Sequence, residues 1–161
     1  MTYLWLGNIA EAIRDYTQSW ELNQKNVCAG WMAVWSRMCQ EGITREITQQ
    51  LETLIEIDPQ CYDSRVCRGL LLWLQEHFEQ ANRELEQAIP LEQKPWEAYF
   101  WNGLVEASLG RDGQAIAAVE KALKRGLPPV LLTPLRWLQQ ERLDFCEKYV
   151  KTLFDGYKLA M

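Results

Sequence analysis

Apolar residues recur along this chain at intervals of three and four positions, the spacing that places side chains on one face of an α-helix. Ala115 and Ala122 show this clearly, because they lie two helical turns apart and share one face. Val and Ile also follow helical spacing rather than alternating runs, so no strand is predicted. The predicted helices span 2–6, 8–22, 28–40, 44–57, 61–75, 77–90, 96–109, 112–125, 130–139 and 143–155.

The pattern repeats along the chain with a period of 34 residues. One set of positions is Gly103, Ala115, Val119, Ala122 and Leu123. One period earlier the residues are Gly69, Ala81, Leu85, Ala88 and Ile89, and two periods earlier they are Trp35, Ile47, Leu51, Leu54 and Ile55. The first two sets match in residue type, whereas the last is apolar but larger. We therefore expect three units, the earliest being a degenerate copy that keeps Trp31 near its start and Pro59 near its end.

The order of aromatic, small, glycine, alanine and proline positions resembles the tetratricopeptide-repeat (TPR) family, whose unit is a helix–turn–helix of 34 residues. The resemblance is clearest from Trp96 to Pro128, where an aromatic-rich helix ends at Gly110 and an alanine-rich helix ends at Gly126. It implies an all-α fold: a right-handed superhelix of antiparallel helix pairs whose first helices line a concave face. An unrelated helical bundle is the alternative.

These units predict a single domain: a partial repeat at 1–26, full repeats at 28–61, 62–95 and 96–129, and a C-terminal pair of capping helices at 130–161. Because the chain starts partway into a repeat, we expect one of two arrangements. Either it is a fragment of a longer protein, or its N-terminal edge is covered by a partner or by a second copy in a homo-oligomer. The last pair lacks the glycine and alanine signature, as terminal units of repeat proteins do.

Composition and charge narrow the function. The net charge is −5, whereas a nucleic-acid binder needs basic surface. Apolar runs such as 70–74 are far shorter than the roughly 20 residues that span a bilayer. Five cysteines show no metal-type spacing, which favours a reduced, cytoplasmic chain. We therefore expect a protein or peptide partner rather than nucleic acid or membrane, and no cofactor or metal.

The resemblance also implies which side chains face the concave groove, at fixed positions of each first helix. The resulting candidate site for a partner's amphipathic helix or extended apolar segment is mostly apolar. It consists of Met32, Val66, Leu70, Trp73, Phe100 and Leu104, with Trp101 beside them. Asp63 and Glu97 flank the set. Alternatively, these side chains pack between adjacent helices or beneath the C-terminal helices. One TPR subgroup clamps a C-terminal carboxylate with Lys, Asn and Arg at such positions, and this chain lacks that pattern.

Four polar residues occupy positions that the family fills with apolar or aromatic side chains: Arg65, Arg68, Asn102 and Glu106. Arg65 and Arg68 lie one turn apart, and Glu106 is on the equivalent helix of the next repeat, so an ion pair between repeats is conceivable. An unpaired buried charge is costly, which favours arginines that are paired or that extend to the surface. A ligand carboxylate held by either arginine is the alternative.

An enzyme is not expected. The chain has one histidine, His77, in a turn, with no nucleophile placed beside it by the repeat pattern. No glycine-rich phosphate loop follows a strand. The sequence therefore predicts a protein-interaction module that binds a peptide or helix in its groove. The alternatives are a regulatory or sensor segment of a larger signalling or ATPase protein that makes intramolecular contacts, and a self-associating scaffold.

Overall fold

The computed structural model describes residues 8–127, and every regular element in that range is helical. The α-helices agree within two residues with the predicted spans. They are α1 (Ile9–Leu22), α2 (Val27–Glu41), α3 (Arg45–Ile57), α4 (Tyr62–Leu74), α5 (Phe78–Ala88), α6 (Trp96–Ser108) and α7 (Asp112–Lys124). A 3₁₀ turn, Ile89–Leu91, follows α5 and contains Pro90, which has no backbone N–H to donate. The predicted helices at 2–6, 130–139 and 143–155, and with them the capping pair, lie outside the described residues.

The helix ends follow from local side-chain chemistry. Asn8, Asn26 and Thr44 each precede a helix, and the side-chain oxygen of each accepts a hydrogen bond from the backbone N–H three residues later. Three helices are followed within two residues by a glycine with positive φ: 77° at Gly42, 75° at Gly110 and 98° at Gly126. These positions allow the chain to reverse without steric strain.

The helices form two layers. Each helix packs against the next one along the chain, and α2, α4 and α6 also contact one another in that order. We call these three the first helices, and α1, α3, α5 and α7 the second helices. Apolar residues from both layers form one continuous core. The molecule is therefore a stack of helix pairs rather than a closed bundle.

Glycines permit close packing within the second and third pairs. A Cβ atom added to Gly69 of α4 would lie 2.6 Å from Leu85 Cγ on α5. One added to Gly103 of α6 would lie 2.8 Å from Val119 Cγ2 on α7. Both distances are shorter than van der Waals contact, so the sequence needs glycine for these helices to approach this closely.

The first pair is built differently, because Trp35 occupies the position that glycine holds in the other two. The close approach instead occurs at Gly30, five residues earlier and about 140° around the helix. A Cβ added there would collide with Leu54 of α3 and lie 2.8 Å from Trp20 Cε3 of α1. Helix α2 thus presents a different side to its second helix than α4 and α6 do.

Candidate functional site

The side chain of Trp35 points into an aromatic cluster between α2 and α6. Its ring centroid lies 5.5 Å from that of Trp96, 5.7 Å from Phe100 and 5.3 Å from Trp101, all on α6. Trp31, one turn earlier on α2, lies 5.0 Å from Trp35 in an edge-to-face arrangement. Such ring pairs add packing energy beyond the area they bury. Helices α2 and α6 are therefore joined directly by their aromatic side chains.

The seven predicted groove residues lie in this core. Their exposed fractions are 8% or less, so they do not form the open apolar groove that the sequence led us to expect. They are Met32, Val66, Leu70, Trp73, Phe100, Trp101 and Leu104. This burial agrees with the alternative expectation, in which these side chains pack between helices of the chain. Whether a partner contacts them stays a prediction.

The surface along the first helices, which we call the first-helix face, still offers some accessible positions. Among those that the TPR resemblance assigns to the groove, Gln40 is exposed, and Asp63 and Leu74 are half-buried. The others are Ala29, Met32, Ser36, Cys39, Val66, Leu70, Trp73, Glu97, Phe100, Leu104, Ala107 and Ser108, and all of them are buried. A partner that approaches this face would meet mainly polar groups at its edges.

One edge of the face carries a buried carboxyl group. Tyr62 Oη donates a hydrogen bond to Glu97 Oε2 at 2.9 Å and accepts one from the backbone N–H of Ala98 at 3.2 Å. Burial raises the pKa of Glu97 to about 7, and the nearby charges of Asp63 and Glu92 act in the same direction. The pKa of Asp63 is raised to about 6, first by burial and then by Glu92. Tyr62 thus links α4 to α6, and Asp63, whose pKa stays below 7, gives this edge its negative charge at neutral pH.

The sequence pointed to Asp63 and Glu97 but missed Tyr62. Tyrosine at the first position of a helix carries no signal that its hydroxyl reaches the next repeat. Only the separation of 35 residues between Tyr62 and Glu97, close to one period, could have suggested the contact. A second such link joins Trp73 Nε1 to Ser108 Oγ at 2.8 Å. Hydrogen bonds thus connect α4 and α6 near both of their ends.

The two arginines pair within their own repeat. Arg65 and Arg68 each place a guanidinium nitrogen 3.0 Å from Glu84 Oε2 on α5. Arg65 also donates to Gln87 and Gln60. The conceivable ion pair with Glu106 is therefore not what the structure contains, because Glu84 is directly across the helix pair and already accepts both arginines.

The other two polar residues connect α6 to the preceding second helix. Asn102 Nδ2 donates to Asn82 Oδ1 at 2.6 Å in a buried contact. Glu106 lies 3.3 Å from Arg111, whose guanidinium also lies 2.9 Å from Glu79 of α5. Hydrogen bonds and ion pairs thus satisfy these departures from the family pattern internally. A partner contact by Arg65, Arg68, Asn102 or Glu106 stays a prediction.

His77 is exposed and precedes α5. No cluster of His, Cys, Asp or Glu between residues 8 and 127 is arranged to hold a metal ion. None of the helices in this part of the chain is long and apolar enough to cross a bilayer.

Helix pairs stacked in chain order, joined by small-residue contacts at a fixed period, define an α-solenoid of helix–turn–helix repeats. A solved structure of this type is similar to the chain: TTC0263, described as a thermophilic TPR protein in Thermus thermophilus, at 19% identity and a TM-score of 0.51. The match covers 92% of this chain and 75% of that one. The chain therefore has the TPR fold, and the predicted all-α fold is confirmed.

The crystal structure of MamA is also similar, at 21% identity and a TM-score of 0.46, over 94% of this chain and 92% of that one. No family model matches the sequence, and no curated protein matches it.

Proposed function

We propose that the chain is a protein-interaction scaffold rather than an enzyme. The observation that supports this is the TPR fold itself, because a solenoid of helix pairs presents an extended surface to partners. The internal pairing of the conspicuous polar groups also supports it, since Arg65 and Arg68 join α4 to α5, and Glu106 of α6 is linked to Glu79 of α5 through Arg111. A partner must therefore bind to surface that these internal contacts leave accessible.

In its finer form, the proposal is that a peptide or helix of the partner docks along the first-helix face. The accessible positions Gln40, Asp63 and Leu74 make the first contacts. The seven apolar residues predicted for the groove lie beneath this face and support it from within. The negative charge of Asp63 at its edge favours a partner segment with basic residues.

Quantitative affinity enrichment from the source cell tests this proposal. The full chain is compared with Asp63→Lys, which reverses the charge on the first-helix face, and with the control Glu120→Lys. Glu120 is exposed on second helix α7, outside that face. Circular dichroism establishes that both variants are folded.

We expect a protein that the full chain and the Glu120→Lys control retain equally and that Asp63→Lys retains at least about tenfold less, the loss typical of a reversed charge contact. Enrichment of no specific protein would overturn the scaffold function. Equal retention by Asp63→Lys would overturn the first-helix face as the docking surface.

A further inference from the structure

A cavity of about 290 Å³ opens between α1, α2 and α3. Its base is the side of α2 that carries Gly30, Ala33 and Val34, and its two apolar sides are Trp20 of α1 and Leu54 of α3. Polar side chains complete the lining: Thr17, Arg37, Gln50 and Thr53. We call this the α1–α3 pocket. It lies between second helices, on a different side of α2 from the Trp35 cluster, and so is distinct from the first-helix face.

The pocket follows from the unusual packing of α2. In the other two pairs the close-contact glycine is covered directly, Gly69 by Leu85 and Gly103 by Val119. At Gly30 two side chains, Trp20 and Leu54, meet the α2 backbone from different helices. The small residue Ala33, one turn further along α2, also lines the cavity. The cavity thus lies beside the glycine that makes the close contact in the first pair.

The one cation in the pocket lining is already neutralised. Arg37 Nε lies 2.7 Å from Glu41 Oε1, and Arg37 Nη2 lies 3.4 Å from Glu46 Oε2. Arg37 Nη1 donates to Gln50 Oε1 at 2.8 Å. With two carboxylates against one guanidinium, Arg37 does not favour an anionic ligand. The group that enters the pocket should therefore be uncharged and apolar.

The helices on both sides of the pocket are acidic. Helix α1 and helix α3 each carry three carboxylates and one arginine. Asp15, Glu21, Glu52 and Glu56 are exposed. A partner segment that crosses these helices gains electrostatic attraction if it is basic. Such a pocket, near the lower end of the sizes that ligand sites have, suits one large side chain better than a bulky cofactor.

We propose that the α1–α3 pocket receives a single aromatic side chain from a basic segment of a protein partner. Trp20 offers a partly exposed ring for edge or face contact, and anchors of this kind dominate the binding energy of many interfaces. Thr17, Gln50 and Thr53 lie at the rim, where they can hydrogen-bond the backbone of the segment. The inference rests on the proposed scaffold function but uses a second surface of the molecule.

A set of capped pentapeptides probes the pocket directly. The first has a central tryptophan between pairs of lysines, the second replaces that tryptophan with alanine, and the third replaces the lysines with glutamates. Capped tryptophan amide serves as the single-residue probe. Binding to the full chain is followed by amide chemical shifts in two-dimensional NMR.

We expect the tryptophan–lysine peptide to shift amides around the pocket on α1, α2 and α3, and to bind about tenfold or more tightly than the alanine peptide, since burying one large ring is worth that much. The glutamate peptide should bind more weakly than the lysine peptide. Thr53→Trp, which obstructs the rim, and Ala33→Phe, which fills the base, should abolish binding. Gln18→Trp is the control, because Gln18 is exposed, uncharged and outside the pocket lining.

Equal binding of the tryptophan and alanine peptides, or unchanged binding to folded Thr53→Trp, would overturn the pocket as an anchor site. Equal affinity of capped tryptophan amide and the lysine peptide would overturn the basic segment and leave a site for small aromatic molecules. Peptide binding does not depend on any cellular partner. Failure of the enrichment experiment with success here therefore removes the scaffold function alone, and the converse removes the pocket alone.

Discussion

At the scale of single residues, Glu97 is the more deeply buried of the two described carboxylates that flank the first-helix face. It is buried at the start of α6 and held by Tyr62 from the preceding first helix. Because the protonated form tolerates burial better, its pKa rises from 4.5 to about 7. The chain therefore keeps a proton on this group that the unfolded chain releases.

This makes stability depend on pH in a defined direction. Below the unfolded pKa of 4.5 both states are protonated and the full stability is present. As the pH rises toward 7 the unfolded state loses its proton first, so the free energy of unfolding should fall by about 3 kcal/mol. Glu97→Gln removes the titrating group and keeps an oxygen that can accept from Tyr62. Urea unfolding of both chains between pH 4 and 8 measures the difference.

The wild-type chain should lose more stability across that range than Glu97→Gln does, because other titrating groups contribute equally to both. Parallel pH profiles for the two chains would show that Glu97 does not carry the proton.

Sequence reasoning placed Asp63 and Glu97 beside the groove, but it could not predict this protonation. Burial and the Tyr62 contact depend on how closely α4 and α6 pack.

At the scale of helices, the 34-residue period correctly predicted the helix pairs, since glycine and alanine at equivalent positions are needed for close packing. Gly69→Ala and Gly103→Ala place a Cβ 2.6 Å from Leu85 and 2.8 Å from Val119. Each should destabilise the chain by about 1–3 kcal/mol through overpacking. Gly113→Ala is the matched control, because Gly113 lies within α7 with nothing within 4 Å of an added Cβ.

The control should be neutral or slightly stabilising, since alanine favours a helix over glycine. Denaturant unfolding of the three variants measures the differences. If Gly69→Ala and Gly103→Ala were as stable as Gly113→Ala, the close approach of the paired helices would not be the reason that glycine occupies positions 69 and 103.

The 34-residue period did not predict the orientation of α2. The sequence identified the first repeat as degenerate because Trp35 stands in the glycine position, yet it did not indicate that Gly30 takes over the contact. Periodicity counts positions along a helix, whereas the rotation of α2 depends on Trp20, Leu54 and the aromatic residues of α6 together. The rotation of α2 is therefore determined by packing between elements that are far apart in the chain.

At the scale of the whole molecule, the same aromatic residues explain why the groove prediction differed from the structure. The position rule assumes that the space between first helices stays open. Here Trp35 contacts Trp96, Phe100 and Trp101 across that space, so the apolar residues are part of the core. An excess of tryptophan in the first helices was visible in the sequence, but whether those rings faced a partner or each other was not.

The central claim is that this chain is a scaffold whose partner docks on the first-helix face. The most direct test places the photoreactive residue p-benzoylphenylalanine at Gln40, an exposed position on that face, and at Gln80, an exposed position on second helix α5. Both variants are irradiated in the source cell. We expect a discrete protein adduct from position 40 and none from position 80. No adduct from position 40, or the same adduct from both positions, would contradict it.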